Sequence, residues 1–238
     1  MPTAFFLAQT AAEIHLPLPE DAKKAWMACH FSSYGRGLSN LPAILPPGSM
    51  VILNDRIPIF GHDPQKVAAE LASLAEQLEI SHIFLDFQRP DCEETAKVVR
   101  AVAEVLPCPV GVSEAYARDA DCAVCLGPVP PHLSVEEWIK PWAGRKIWLE
   151  LAPVCRAYTI GEDGCRWEDT TPCGEFPHRD ERAKCRYRIE MGDDVVQFTL
   201  QRGSKELQLL QNVEGIDCFV GLYQEFAQPE AQDTALAQ

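Results

Sequence analysis

Short, nearly unbroken apolar runs, each ended by polar residues, recur along the chain and are separated by helical patterns; this constrains the fold more than any other feature. Met50–Leu53 gives way to Asn54-Asp55-Arg56, and Ile83–Phe87 to Gln88-Arg89-Pro90. Pro109–Val112, Cys122–Leu126, Lys146–Leu151 and Cys218–Tyr223 follow, and Ala25–Phe31 precedes them. Runs of this kind are what strands buried on both faces look like, and such strands belong to parallel sheets covered by helices. Asp63-Pro64 supplies an N-cap and a proline at the first helical position, with Val67, Leu71, Leu74 and Leu78 at helical spacing behind it. Cys92–Leu106 repeats the pattern with Glu93 and Glu94 in its first turn, where the helix dipole favours them. Ser134 and Glu137 form a capping box for Val135–Trp142, and Ser204 caps a helix over Lys205–Val213.

Strand–helix alternation from residue 50 to 150 therefore predicts parallel βα units. At 238 residues the chain fits a compact, irregular (β/α)8 barrel, a fold that typically takes ~250 residues. An open doubly wound sheet is the alternative. Gly35–Ser49 is a Pro-rich loop where a barrel helix would stand. Residues 155–200 break the alternation with two hairpins, one turning at Gly161-Glu-Asp-Gly164 and one at Gly192-Asp193-Asp194, joined by a polar loop. The expected organisation is one barrel domain over 1–227, with 155–200 as a hairpin excursion and 228–238 as a frayed tail. The first barrel strand is either Ala4–Ala8 or Ala25–Phe31; in the second case the hairpins contribute a strand.

With 21 Lys and Arg against 35 Asp and Glu, the net charge is −14, which disfavours nucleic-acid and membrane partners. No segment approaches a membrane span, and the N-terminus lacks a signal-peptide core, so a cytoplasmic setting is expected. The CxxC at Cys122 and Cys125 lies in a strand-like run, which turns its two sulfurs to opposite faces and argues against a metal knuckle. The six His form neither HxH nor HExxH, so no metal and no cofactor is expected.

From Met50 to Ala117 the chain resembles the family-18 glycoside hydrolases, the chitinase-like barrels. The family's motif strand carries DxxDxDxE, and the corresponding stretch here reads Ser81-His-Ile-Phe-Leu-Asp-Phe-Gln88, then Arg89-Pro90. A helix ending Leu106-Pro107 and a strand over Pro109–Ser113 follow, as in the family. Ser81 and Phe84 occupy the first two Asp positions, Asp86 keeps the third, and Gln88 replaces the general-acid Glu. The resemblance implies a pocket role for Asp86 and a sugar hydrogen bond from Gln88. An amide cannot protonate a leaving oxygen, so the ordinary chitinase reaction is not expected.

In a parallel barrel the C-terminal strand ends converge on one mouth, where active sites lie. Reading those ends gives Asp86, Glu114 and Glu150 as candidate acid–base groups. Candidate ligand contacts are His30, Asn54, Asp55, Gln88, Tyr116, Tyr223 and Glu225. Paired carboxylates are the tools of glycoside hydrolysis, and Asp86 and Glu114, on consecutive strands, are expected to approach each other. The expected partner is a sugar or other polyhydroxylated small molecule, bound or hydrolysed at this mouth; the oligomeric state stays open. Two other readings stand beside it: recognition without turnover, and a non-enzymatic assembly protein that associates through the 155–200 hairpins.

Overall fold

The computed structural model of the protein describes residues 2–8, 22–31, 37–40, 43–56, 61–89, 92–130, 133–150, 156–162, 164–169, 176–193, 195–201 and 213–222. Eight parallel strands form a ring: β1 (Thr3–Ala8), β2 (Ala22–Phe31), β4 (Met50–Asn54), β5 (His82–Asp86), β6 (Val110–Ser113), β7 (Ala123–Leu126), β8 (Ile147–Glu150) and β14 (Ile216–Leu222). β1 pairs with β14 on one side and with β2 on the other, which closes the barrel and rules out the open sheet. β1 is therefore the first barrel strand and β5 the fourth. The two-residue strand β3 (Leu38–Ser39) runs antiparallel to the end of β2.

The helices form where caps and apolar spacing direct them. α1 (Pro64–Gln77) begins with the Asp63 side chain accepting the Gln65 N–H and buries Val67, Ala68, Leu71, Leu74 and Ala75. It ends in a Schellman motif without glycine: Glu79 takes φ 50°, and the Ile80 N–H reaches the Ala75 carbonyl at 2.9 Å. α2 (Glu93–Val105) buries Val98, Val99 and Val102 and packs beside α1. α3 (Val135–Ile139) carries both hydrogen bonds of the Ser134–Glu137 capping box and tightens into a 3-10 turn over Lys140–Trp142. No helix among the described residues is long and apolar enough to cross a membrane. The expected Lys205–Val213 helix, the expected tail and the hairpin tip residues Asp163 and Asp194 lie outside the described residues.

Between β8 and β14 stand five antiparallel strands: β9 (Arg156–Gly161), β10 (Gly164–Asp169), β11 (His178–Asp180), β12 (Cys185–Met191) and β13 (Val196–Gln201), in the order β10-β9-β13-β12-β11. Both expected hairpins are present, and neither supplies a barrel strand. The stretch between them is not all loop, because β11 pairs with β12. Asp180 makes that turn by accepting the backbone N–H of Arg182 at 2.8 Å and of Ala183 at 3.0 Å. Ala183 and Cys185, both fully buried, join the core outside the barrel, and Arg182 pairs with Glu137 at 2.5 Å. The antiparallel sheet is thereby docked beside α3.

Candidate functional site at the barrel mouth

Two cores separate cleanly. Val51, Leu53, Ile83, Leu85, Val112, Val124 and Leu149 pack outward against the helices. Phe5, Leu7, Met50, Ile52, Phe84, Cys125, Trp148, Cys218 and Val220 fill the lumen. Because side chains alternate along a strand, the lumen residues determine which strand-end groups face the mouth. Asn54, Asp86, Ser113 and Glu150 share the lumen side with Ile52, Phe84, Gly111 and Trp148, respectively. The CxxC is divided as its spacing requires, Cys122 in the outer core and Cys125 in the lumen. Trp148, with 0% exposure, plugs the lumen below the mouth, edge-on to Phe84 at 6.3 Å between ring centroids.

Asp86 is the centre of the hydrogen bonding at the mouth. The Gln88 side-chain amide donates to its Oδ1, and the Ser113 hydroxyl lies 3.5 Å from the same oxygen and 3.3 Å from the Leu85 carbonyl. Burial raises the pKa of Asp86 above the usual carboxylate range, and Asp55 adds to the effect. The bond from Gln88, the charge of Arg56 and the Ser113 hydroxyl oppose it. Cys125 lies on β7, two strands from Asp86 and next to β8: burial drives its pKa far up, and the charges of Glu150 and Asp86 both contribute. The two carboxylates thus address one buried thiol from β5 and β8, with Asn54 in register beside Asp86.

The other expected residues divide by role. Asp55, 3% exposed, does not line the lumen; it accepts the backbone N–H groups of Gln88 and Arg89 at 3.0 Å each and so holds the loop after β5. Asn54 accepts the Arg56 N–H at 3.1 Å. Tyr116 is 2% exposed and edge-on to Phe87; its hydroxyl donates to the Arg89 carbonyl and accepts from the Cys92 N–H at 3.3 Å. It anchors the segment between β5 and α2, which is a structural task.

Glu114 corrects the expected pairing. It begins a 3-10 turn, is exposed, and accepts the Trp142 indole N–H at 3.3 Å, while Ser113 takes the lumen position beside Asp86. The carboxylate acting on Asp86 is Asp55, which directly follows Asn54, the register partner of Asp86. The hydrogen-bond partners of Asp86 are Gln88 and Ser113, and the Arg89 guanidinium donates to the Arg56 carbonyl at 3.4 Å. His30 sits in register with Asn54 on β2, which places its backbone in the mouth's layer; Tyr223 and Glu225 lie outside the described residues. Cys125 is the lumen residue not expected at the site, although the alternation that separated it from Cys122 was the signal. No group of His, Cys, Asp and Glu suited to a metal ion occurs among the described residues.

Neither a family model nor a curated protein matches the sequence. Among solved structures, a GH18 chitinase from Cycas revoluta, crystallised in complex with (GlcNAc)3, superposes with a TM-score of 0.52 over 92% of this chain and 94% of that one, at 10% identity. The architecture is that of an irregular TIM-type barrel, similar in fold to that GH18 chitinase.

Proposed function

We propose that the barrel mouth binds a sugar or another polyhydroxylated small molecule without carrying out the ordinary chitinase reaction. The observation that carries this reading is the lumen-facing set of Asn54, Asp86, Ser113 and Glu150, with the Gln88 amide bonded to Asp86. Carboxylates, amides and hydroxyls together offer the donors and acceptors that vicinal hydroxyl groups require. The (GlcNAc)3 bound to the structurally similar chitinase supports the choice of ligand class. Gln88, in the position where the resemblance calls for a proton-donating Glu, supports recognition rather than ordinary turnover. A cytoplasmic setting agrees with Cys122, Cys125, Cys185 and Cys218 buried as free thiols.

Isothermal titration with a panel of monosaccharides, disaccharides and chito-oligosaccharides tests the reading. Saturable binding weakened in Asp86→Ala and Glu150→Ala supports it; no binding across the panel, or binding unchanged in both variants, overturns it. Hydrolysis is the second reading, favoured by the burial that raises the pKa of Asp86, the direction a proton-donating carboxyl requires. Turnover of aryl glycosides that disappears in Asp86→Asn would establish it.

A further inference from the structure

We propose that the N-terminal pole of the barrel, opposite the mouth, is an anion site that takes a phosphate-type dianion, free or as a monoester, between Lys23, His82 and Lys146. His82 opens β5, in register with Met50, and its ring lies in the lumen floor, 4.7 Å from the Phe5 ring and 5.4 Å from that of Trp148. Lys23 is in register with the lumen residue Phe5. Its ammonium would lie 3.3 Å from a Cβ placed on Gly48. Lys146 precedes β8 on the same side as Trp148. Both lysines are exposed, and no carboxylate among the described residues forms an ion pair with either.

A hydrogen-bond chain determines how His82 presents itself. The Ser81 hydroxyl donates to the Gly48 carbonyl at 2.5 Å, which uses its only hydrogen. The 2.9 Å contact between Ser81 Oγ and His82 Nδ1 is therefore an Nδ1–H donor, and Nε2 is left bare in the neutral ring. The charged groups acting on the ring are Lys23 from β2, Lys146 before β8 and Asp217 on β14; Phe5, Met50 and Trp148 around it are uncharged. Burial, then Lys23, lowers the pKa of the imidazole, with Lys146 adding to this and Asp217 opposing it.

Two ammonium groups against the one carboxylate of Asp217, beside a neutral ring, leave a local excess of positive charge among the described residues, on a chain of net charge −14. A dianion balances that excess. The lysines donate to its oxygens, and Nε2 takes one proton from solvent and donates it as a third hydrogen bond. This site does not depend on the reading of the mouth.

The experiment follows the histidine resonances of the whole chain by NMR during titration with inorganic phosphate and, separately, glycerol 3-phosphate, with ionic strength matched by chloride. Expected are a saturable shift of the His82 resonance, an upward move of its titration on saturation, and affinity lowered at least about tenfold in Lys23→Gln/Lys146→Gln, as the loss of charge-assisted bonds requires. Tighter binding of the monoester identifies a phosphorylated metabolite as the ligand, and equal binding identifies free phosphate. An unchanged His82 resonance at millimolar ligand, or equal affinity in the lysine variant, overturns the proposal. Both lysines are exposed, so their replacement leaves the fold intact.

Discussion

The indole of Trp148 occupies the space that a side chain at Gly111 would need: a Cβ there would lie 2.2 Å from its Cε3 and Cζ3. The lumen floor beneath Asp86 and Glu150 is therefore built jointly by β6 and β8, one strand withholding a side chain so that the other can fill the barrel. Gly111→Ala is expected to lower stability by about 3 kcal/mol, because the contact is with a fully buried ring that has nowhere to move. Thermal or urea unfolding measures the loss, and an unchanged midpoint would show that the floor is loosely packed.

Asp55 joins β4 to the loop after β5 through two backbone hydrogen bonds. Asp55→Ala leaves two N–H groups without their charged acceptor and is expected to cost about 3 kcal/mol, whereas Asp55→Asn, which keeps one oxygen, costs about half as much. If Gln88 depends on this loop for its bond to Asp86, ligand affinity at the mouth falls together with stability in Asp55→Ala. Calorimetric unfolding and a ligand titration on the same variants compare the two effects.

The raised pKa of Asp86 has a definite pH consequence. Between its ordinary pKa and its raised native value, the native state holds more protons than the unfolded chain, so stability declines as pH rises through that interval and levels off above it. Asp86→Asn removes the ionisation. The variant is expected to be more stable than the wild type above the native pKa and to lose that advantage as pH falls below the ordinary carboxylate range. Melting temperatures across a pH series, wild type against variant, give the curve directly; parallel curves would mean that Asp86 is fully solvated.

Gln88→Glu returns a carboxyl to the position where the resemblance places the general acid, two residues beyond Asp86. Two carboxyls at hydrogen-bond distance share a proton, and one of them then has the raised pKa that proton donation requires. Expected is measurable release of the aryl group from a glycoside that the wild type binds but leaves intact, detected by fluorescence. A variant that binds the glycoside and never cleaves it would show that the mouth lacks more than its acid.

Much of the barrel was legible in local sequence. The apolar runs marked six strands between residues 50 and 222, and Asp63-Pro64 and Ser134–Glu137 marked the starts of α1 and α3, because capping and burial act over a few residues. The separation of Cys122 from Cys125 followed from alternation alone. Asp86 was legible as well, being a lone carboxylate within an otherwise apolar run.

Ring closure was not legible, nor was the identity of the first strand, because both depend on β1 pairing with β14 at the far end of the chain. The mouth's membership depended on the same closure. A strand buried on both faces is apolar at every position, so its sequence carries no sign of which residues turn to the lumen and which to the helices. Asn54 could not be told from Asp55, or Ser113 from Glu114, until the packed barrel gave each strand its inner face. Sequence determined the strands, the helix starts and the chemistry available at the strand ends; tertiary structure decided which of those groups meet, because only pairing between distant strands gives the barrel an inside.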